Sequence, residues 1–145
     1  MPRITCTRLL AWDAAHRIPR HESKCAALHG HRYTAEITCA AEALDDRGRV
    51  IDFGVVKERV GKFIDERWDH TAILMKGDPD PVAQAVAASN AEKGRPVYWL
   101  DGPPSAELLA AELGRVAGEL LASSGVTVVK IRLWETPNAY ADWEP

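Results

Sequence analysis

One stretch of alternating side chains limits the folds open to this chain more than any other feature. Over residues 32–41, apolar residues such as Tyr33 and Ile37 alternate with polar residues such as Thr34 and Glu36. A period of two is that of a strand with one face in a core and the other in water. The chain therefore needs a sheet and a second layer that covers one face of it.

The order of the predicted elements favours an α+β fold, with helices covering one face of an antiparallel sheet. Helices are predicted where apolar residues recur every three or four positions after a capping residue. In the third helix the expected buried stripe is Leu109, Leu113, Val116 and Leu120. In chain order, the elements are a strand over 3–12, the strand over 32–41, a helix over 53–68 capped by Asp52, a helix from Asp80–Pro81 to Gly94, a helix from Pro104–Ser105 to before Gly125, and a strand over 126–135.

The composition excludes several classes of protein. The 145 residues suffice for one domain over 1–145, with a core that needs no disulfides. Three cysteines without a CxxC pair indicate a reduced, intracellular chain. The net charge of −3 has the wrong sign for a nucleic-acid-binding protein, and no apolar run approaches the ~20 residues needed to cross a bilayer. We expect no signal peptide, no membrane partner and a location in the cytoplasm.

Three histidines are predicted to meet at one end of a hairpin. His29 and His31 are two residues apart in an extended segment, so their imidazoles point to the same side. If the first two strands pair, His16 comes close to them. Three imidazoles suit Zn²⁺ and leave a fourth position open, as in catalytic sites. Surface or capping histidines remain the alternative, and His21, flanked by charged residues, is interpreted as an exposed loop residue.

Cys25 lies in a polar loop four residues before His29. Lys24 and a bound dication would both favour its thiolate, which is a usable base or nucleophile. The thiolate can equally be a fourth zinc ligand, which would make the site structural. Cys6 and Cys39 lie within strand patterns and are expected in the core.

Acidic residues provide two further candidates. Asp69 is followed by His70, and a carboxylate can fix the tautomer of a histidine to give an acid/base unit, although the pair can also be a polar helix exit. Glu135 continues the apolar face of the last strand, so it lies either at an edge in water or in a pocket where it accepts two N–H donors from a flat ligand. The apolar face is expected to consist of Val129, Ile131 and Leu133.

Six short motifs extend from the first predicted strand to the last. They are Trp12-Asp13-Ala14-Ala15-His16-Arg17, Cys25-x-x-x-His29-Gly30-His31, Ile51-Asp52-Phe53, Asp69-His70, Pro104-Ser105-Ala106-Glu107 and Trp134-Glu135-Thr136. Together they resemble the 6-pyruvoyl-tetrahydropterin synthase / 6-carboxy-tetrahydropterin synthase family, and the longest segment outside the motifs is at about residues 74–102. Two details depart from the family pattern: Ile73-Leu74-Met75 replaces a common Leu-Asn, and Ser105 replaces a common threonine.

The resemblance implies the tunnelling fold, a four-stranded antiparallel sheet with helices on one face. Subunits of this fold assemble around a barrel, usually as a hexamer of two trimers, with active sites between subunits. The implied roles are Zn²⁺ ligation by His16, His29 and His31, proton abstraction by Cys25, proton relay by Asp69 and His70, and substrate binding by Glu135 and Glu107.

The resemblance also implies a substrate, 7,8-dihydroneopterin triphosphate. Bacterial members similar to this chain usually make 6-carboxy-5,6,7,8-tetrahydropterin, with release of acetaldehyde and triphosphate, on the route to queuosine. Animal-type members make 6-pyruvoyl-tetrahydropterin, and a third group typically has glutamate in place of the cysteine. Cys25 speaks against that third group, and the compact Cys25-x-x-x-His29-Gly30-His31 loop favours the first product. A non-catalytic pterin or purine binding module and a zinc hydrolase remain alternative hypotheses.

Overall fold

The computed structural model describes residues 3–145. Met1 and Pro2 lie outside the described residues; they begin the N-terminal segment in which no signal peptide is expected. The strands are β1 (Thr5–His16), β2 (His29–Ala40), β3 (Thr71–Met75), β4 (Tyr98–Leu100), β5 (Thr127–Thr136) and β6 (Ala139–Trp143). The helices are α1 (53–67, with a π-helical turn at Lys57–Gly61 between Phe53–Val56 and Lys62–Arg67), α2 (Pro81–Glu92) and α3 (Ala106–Leu121). Short 3₁₀ turns occur at Lys24–Ala26 and Ala122–Ser124.

The strands form one mixed sheet in the order β4-β3-β1-β2-β5-β6. The α+β class is as predicted, but the sheet has six strands and not four. It is also not wholly antiparallel, because β3 runs parallel to both β1 and β4. The segment outside the family motifs accounts for much of this difference, since β3, α2 and β4 form a parallel β-α-β unit at one edge. At the other edge, β6 pairs antiparallel with β5.

The main core lies between the sheet and helices α1 and α3, on one face, as predicted, whereas α2 packs against β3 in a separate, smaller cluster. Trp12 of β1 and Tyr33 of β2 are fully buried there and stack with ring centroids 5.4 Å apart. Burying one large apolar side chain contributes about 1.5–3 kcal/mol. The helices bring Val60, Ile64, Leu109 and Leu113 to this layer.

Two expected apolar positions need correction. In α3, Leu120 is 37% exposed, and Leu121 is buried in its place because the stripe advances in steps of four residues, from Leu113 through Ala117 to Leu121. In β5, Val128 is buried and Val129 is not, since a β-bulge shifts the register between β2 and β5 there. An extra residue in one strand moves the preceding side chains to the opposite face. Of the two cysteines expected in the core, Cys39 is fully buried and Cys6 only partly.

The three predicted helix starts are confirmed. A backbone N–H donates to the side chain of Asp52 at 2.8 Å, of Asp80 at 2.9 Å and of Ser105 at 3.2 Å. These caps satisfy donors that have no partner within a helix. The Ser105 cap matters most for the site because it fixes where α3 begins beside His16. Among residues 3–145, no helix is both long and apolar enough to cross a membrane.

Candidate metal centre and active-site cavity

Strand pairing brings three histidines together at the end of the β1–β2 hairpin. His16 is directly opposite His29, and Ala14 is opposite His31. Because side chains alternate along a strand, all three imidazoles lie on the face that carries Trp12. One ring nitrogen from each histidine lies within 4.8 Å of those of the other two, and the Nε2 atoms of His16 and His29 are 3.1 Å apart.

Backbone carbonyls orient two of these rings. Nδ1 of His16 is 2.8 Å from the Pro104 carbonyl, and Nδ1 of His29 is 2.7 Å from the Ala27 carbonyl. A carbonyl only accepts, so each Nδ1 carries a proton and donates it. In the neutral ring, Nε2 then presents its lone pair to the cluster. This outer hydrogen bond is the arrangement that supports histidine ligands of a metal.

The third ring leaves a polar atom that needs a partner. Nε2 of His31 is buried and has no hydrogen-bond partner among the described residues. Carboxylate oxygens of Glu135 lie 3.6 Å from this atom and 3.9 Å from Nε2 of His16. Burial lowers the pKa of both His16 and His31, while the carboxylate acts in the opposite direction. Three imidazoles beside a carboxylate match the donor set of a divalent cation such as Zn²⁺.

A β-bulge directs Glu135 towards the histidines. In the β5–β6 pair, Trp134 is opposite Tyr140 and Thr136 is opposite Ala139, so Glu135 is the extra residue. Bulges often re-aim a side chain next to a functional site. The Glu135 side chain is 27% exposed. Of the two environments predicted for this carboxylate, it therefore occupies a pocket and not an open edge.

A cavity of about 340 Å³ adjoins the histidine cluster. Cys25 and Glu107 line it together with His16 and Glu135, so four predicted site residues face one space. His21 also lines it, which corrects its interpretation as an exposed loop residue; the backbone N–H of Ser23 donates to its Nδ1 at 3.0 Å. Tyr140 is a further lining residue that the sequence did not indicate. Neither residue belongs to a periodic pattern that would have revealed its position.

Asp69 and His70 form a preorganised pair elsewhere. Nδ1 of His70 is 2.7 Å from Oδ2 of Asp69, whose Oδ1 accepts the backbone N–H of Asp13 at 3.0 Å. Burial acts to raise the pKa of Asp69, but these two hydrogen bonds and the charge of Arg95 outweigh it and lower the pKa. The pair does not line the Cys25 cavity; His70 borders a separate depression with Asp13, His31 and Arg32, and its side chain is 71% exposed.

Comparison with known proteins gives a consistent result. The family described as 6-pyruvoyl tetrahydropterin synthase matches residues 5–145. A 6-carboxy-5,6,7,8-tetrahydropterin synthase of Rickettsia bellii is 41% identical over 140 residues, which cover 96% of this chain and 99% of the relative. One from Aquifex aeolicus is 35% identical over 128 residues, covering 84% of this chain and 76% of the relative.

Solved structures show the same fold. A protein from Wolinella succinogenes superposes with a TM-score of 0.84 at 21% identity, covering 99% of each chain. The 6-pyruvoyl tetrahydropterin synthase of Caenorhabditis elegans gives a TM-score of 0.68 at 20% identity, covering 100% of this chain and 97% of that one. The curled mixed sheet is therefore that of the tunnelling fold.

Proposed function

The chain belongs to the 6-pyruvoyl tetrahydropterin synthase family and is a lyase-type enzyme, and from this premise we propose that it is a zinc-dependent 6-carboxy-5,6,7,8-tetrahydropterin synthase. The substrate would be 7,8-dihydroneopterin triphosphate, and the products 6-carboxy-5,6,7,8-tetrahydropterin, acetaldehyde and triphosphate. Relatives at 41% and 39% identity that carry this name support the product. Cys25 speaks against the third group of the family, which typically has glutamate at that position, but it does not separate the 6-carboxy from the 6-pyruvoyl product.

The observation that carries the proposal is the cluster of His16, His29 and His31. Two of its rings are oriented by carbonyls, and the third has a buried nitrogen without a partner. These three residues would hold the zinc ion. When bound, the ion supplies Lewis-acid polarisation of the hydroxyl groups on the substrate side chain.

The side chains around the cavity supply the remaining chemistry. We assign Cys25 as the base, because its partly buried sulfur lines the same cavity as His16 and, as the thiolate, would take a proton from a substrate carbon held there. The carboxylate of Glu135 would accept two N–H donors from the amino-pyrimidine edge of the pterin, a bidentate arrangement. Glu107, at the start of α3 on the same cavity, would bind the substrate as a second carboxylate.

The Asp69–His70 pair would complete the site from another subunit. Within one chain it borders a different depression from Cys25, although its tautomer and orientation are already fixed by hydrogen bonds. The exposed His70 of a second copy would then serve as the relay at the cavity of one chain. We propose a homo-oligomer, a hexamer of two trimers, with the site at the subunit boundary. A location in the cytoplasm stays a prediction.

One incubation tests the activity. The purified zinc-loaded protein is mixed with 7,8-dihydroneopterin triphosphate, and the products are identified by mass. We expect the 6-carboxy product and acetaldehyde. The 6-pyruvoyl product would instead identify the animal-type reaction. Binding without turnover at any metal load would indicate a binding module, and hydrolysis that leaves the side-chain carbons unchanged would indicate a zinc hydrolase.

Two variants test the residue roles. His29→Ala should lose the zinc, as measured by elemental analysis of the purified protein. Cys25→Ala should keep the zinc and the pterin but lose turnover, because only the base is removed. If Cys25→Ala empties the metal site, the thiolate is a ligand and the proposed mechanism is wrong.

A further inference from the structure

The turn that carries Cys25 has little packing of its own. Lys24–Ala26 is a single 3₁₀ turn with no buried residue, and Ser23, which precedes it, makes no side-chain cap. Inside the turn, hydrogen bonds link close neighbours, such as the N–H of Ala27 and the carbonyl of Lys24 at 3.0 Å. Segments with few buried contacts open easily, so other elements must hold this turn against the histidine cluster.

The residues just after β1 provide that support. The N–H of Ile18 donates to the Cys25 carbonyl at 2.9 Å, and Nε of Arg17 donates to the Ala26 carbonyl at 2.9 Å. Arg17 directly follows His16, and its side chain is almost fully buried. The direction of the Nε–H group thus depends on what fixes the rest of this buried guanidinium.

That partner comes from the β-α-β unit. Asp78, in the loop between β3 and α2, has a fully buried side chain, and both of its carboxylate oxygens accept from Nη1 of Arg17. The carboxylate is held in turn by the backbone N–H of Asp80 at 3.0 Å. The Asp80 carboxylate, 3.7 Å from Nη2, adds a second negative charge. A carboxylate that engages a guanidinium in this way restricts its orientation as well as its charge.

We propose that Asp78 is a positioning residue for Cys25, acting through Arg17. The inference gives the segment outside the family motifs a role: it orders the turn from which the Cys25 thiol faces the cavity. It rests on the proposed function, in which that thiol is the base. Loss of this support should loosen the turn without removing any zinc ligand or any substrate-binding carboxylate.

Two variants and one matched control test the proposal. Arg17→Lys keeps the positive charge beside Asp78 but cannot donate from a fixed fork to Ala26 and to the carboxylate together. Asp78→Asn keeps the shape of the side chain and removes its charge. Asp101→Asn is the control, because it removes the exposed Lys76–Asp101 pair, 2.8 Å long, at the end of the same unit.

Hydrogen exchange is the first measurement, on full-length zinc-loaded protein. We expect amides of peptide 18–28 to exchange about 10-fold faster in Arg17→Lys and Asp78→Asn, with those of α3 unchanged. Exchange in the turn equal to wild type in both variants would overturn the proposal. Arg17→Lys, which keeps both charges, decides the question if Asp78→Asn fails to fold.

Kinetics separate this proposal from the proposed function. We expect kcat to fall by about 10- to 100-fold with KM and zinc content close to wild type, as for a displaced catalytic group. Faster exchange with an unchanged kcat would overturn the positioning role. A wild-type protein without turnover would contradict the proposed function, and the exchange measurement would then decide the role of Asp78 in ordering the turn. Asp101→Asn should match wild type in every measurement.

Discussion

Helix α3 contains two glycines, one turn apart, that should respond to alanine in opposite directions. A Cβ on Gly114 would lie 2.4 Å from Cε3 and Cζ3 of Trp143, the last residue of β6. A Cβ on Gly118 would meet nothing within 4 Å. The same substitution in the same helix therefore either crowds an indole ring or adds a methyl group to open space.

The magnitudes follow from these distances. Alanine is favoured over glycine in a helix interior by about 1 kcal/mol, which Gly118→Ala should gain in full. In Gly114→Ala the rigid indole must move, and overpacking of this kind costs about 1–3 kcal/mol. The net change for Gly114→Ala is then a loss of about 0–2 kcal/mol. The two variants should differ by about 1–3 kcal/mol in the free energy of unfolding.

The assay is thermal unfolding followed by circular dichroism, at one protein concentration, because oligomers melt in a concentration-dependent way. A difference of this size separates the melting temperatures by about 3–12 °C, with Gly118→Ala higher. Tryptophan fluorescence should change only in Gly114→Ala, since only there does the Trp143 ring move. If Gly114→Ala is as stable as Gly118→Ala, the close approach of β6 to α3 is not the feature that requires glycine.

Three further predictions concern single interactions. The pKa of the Asp69 carboxyl lies below its usual 3.8, so the ionised carboxylate stabilises the fold above that pH, and this stabilisation is lost as the pH falls through the lower pKa of the folded state. In Asp69→Asn, the free energy of unfolding should therefore decrease less steeply as the pH is lowered into the acid range. A slope equal to that of the wild type would contradict this prediction. Tyr98→Phe removes a 2.6 Å hydrogen bond to Glu112 and should lower the free energy of unfolding, measured with denaturant, by about 1–3 kcal/mol. An unchanged free energy would show that this hydrogen bond does not stabilise the fold. Ser105→Ala removes the side-chain cap of α3 and should lower the free energy of unfolding by about 1 kcal/mol in the same assay. Ser105→Thr keeps a hydroxyl at this position and should leave the free energy of unfolding close to that of the wild type.

Periodicity predicted that His29 and His31 share a face, but the strands predicted over 3–12 and 32–41 ended short of all three histidines, and their pairing was only assumed. The alternation around Tyr33 fixes which side chains share a face, and His29 and His31 have the same parity. Pairing of β1 with β2 then places His16 opposite His29. The helix caps could also be predicted from the sequence, because each depends on one side chain and the backbone N–H groups next to it.

Other features depend on contacts that leave no periodic signal. The segment Thr71–Met75 is covered on both faces, so it reads as a continuous apolar run and not as an alternating strand. Strand β4 has only three residues. A bulge adds one residue without marking it in the sequence, and this explains why Val129 was assigned to the wrong face of β5. The contact between Asp78 and Arg17 joins residues 61 positions apart in the chain.

The candidate metal centre is a continuation of the core and not a separate site added to its surface. Along β1 the buried face runs from Trp12 to His16, and along β2 it runs from Tyr33 through His31 to His29. Burial lowers the pKa of His16 and His31 and so favours the neutral ring that a metal ligand requires, and carbonyls at Nδ1 of His16 and His29 set the tautomer. A slip of one residue in the register would move a strand's histidines and its core residues to the opposite face together. Packing of the apolar core therefore enforces the register that brings the three metal ligands together.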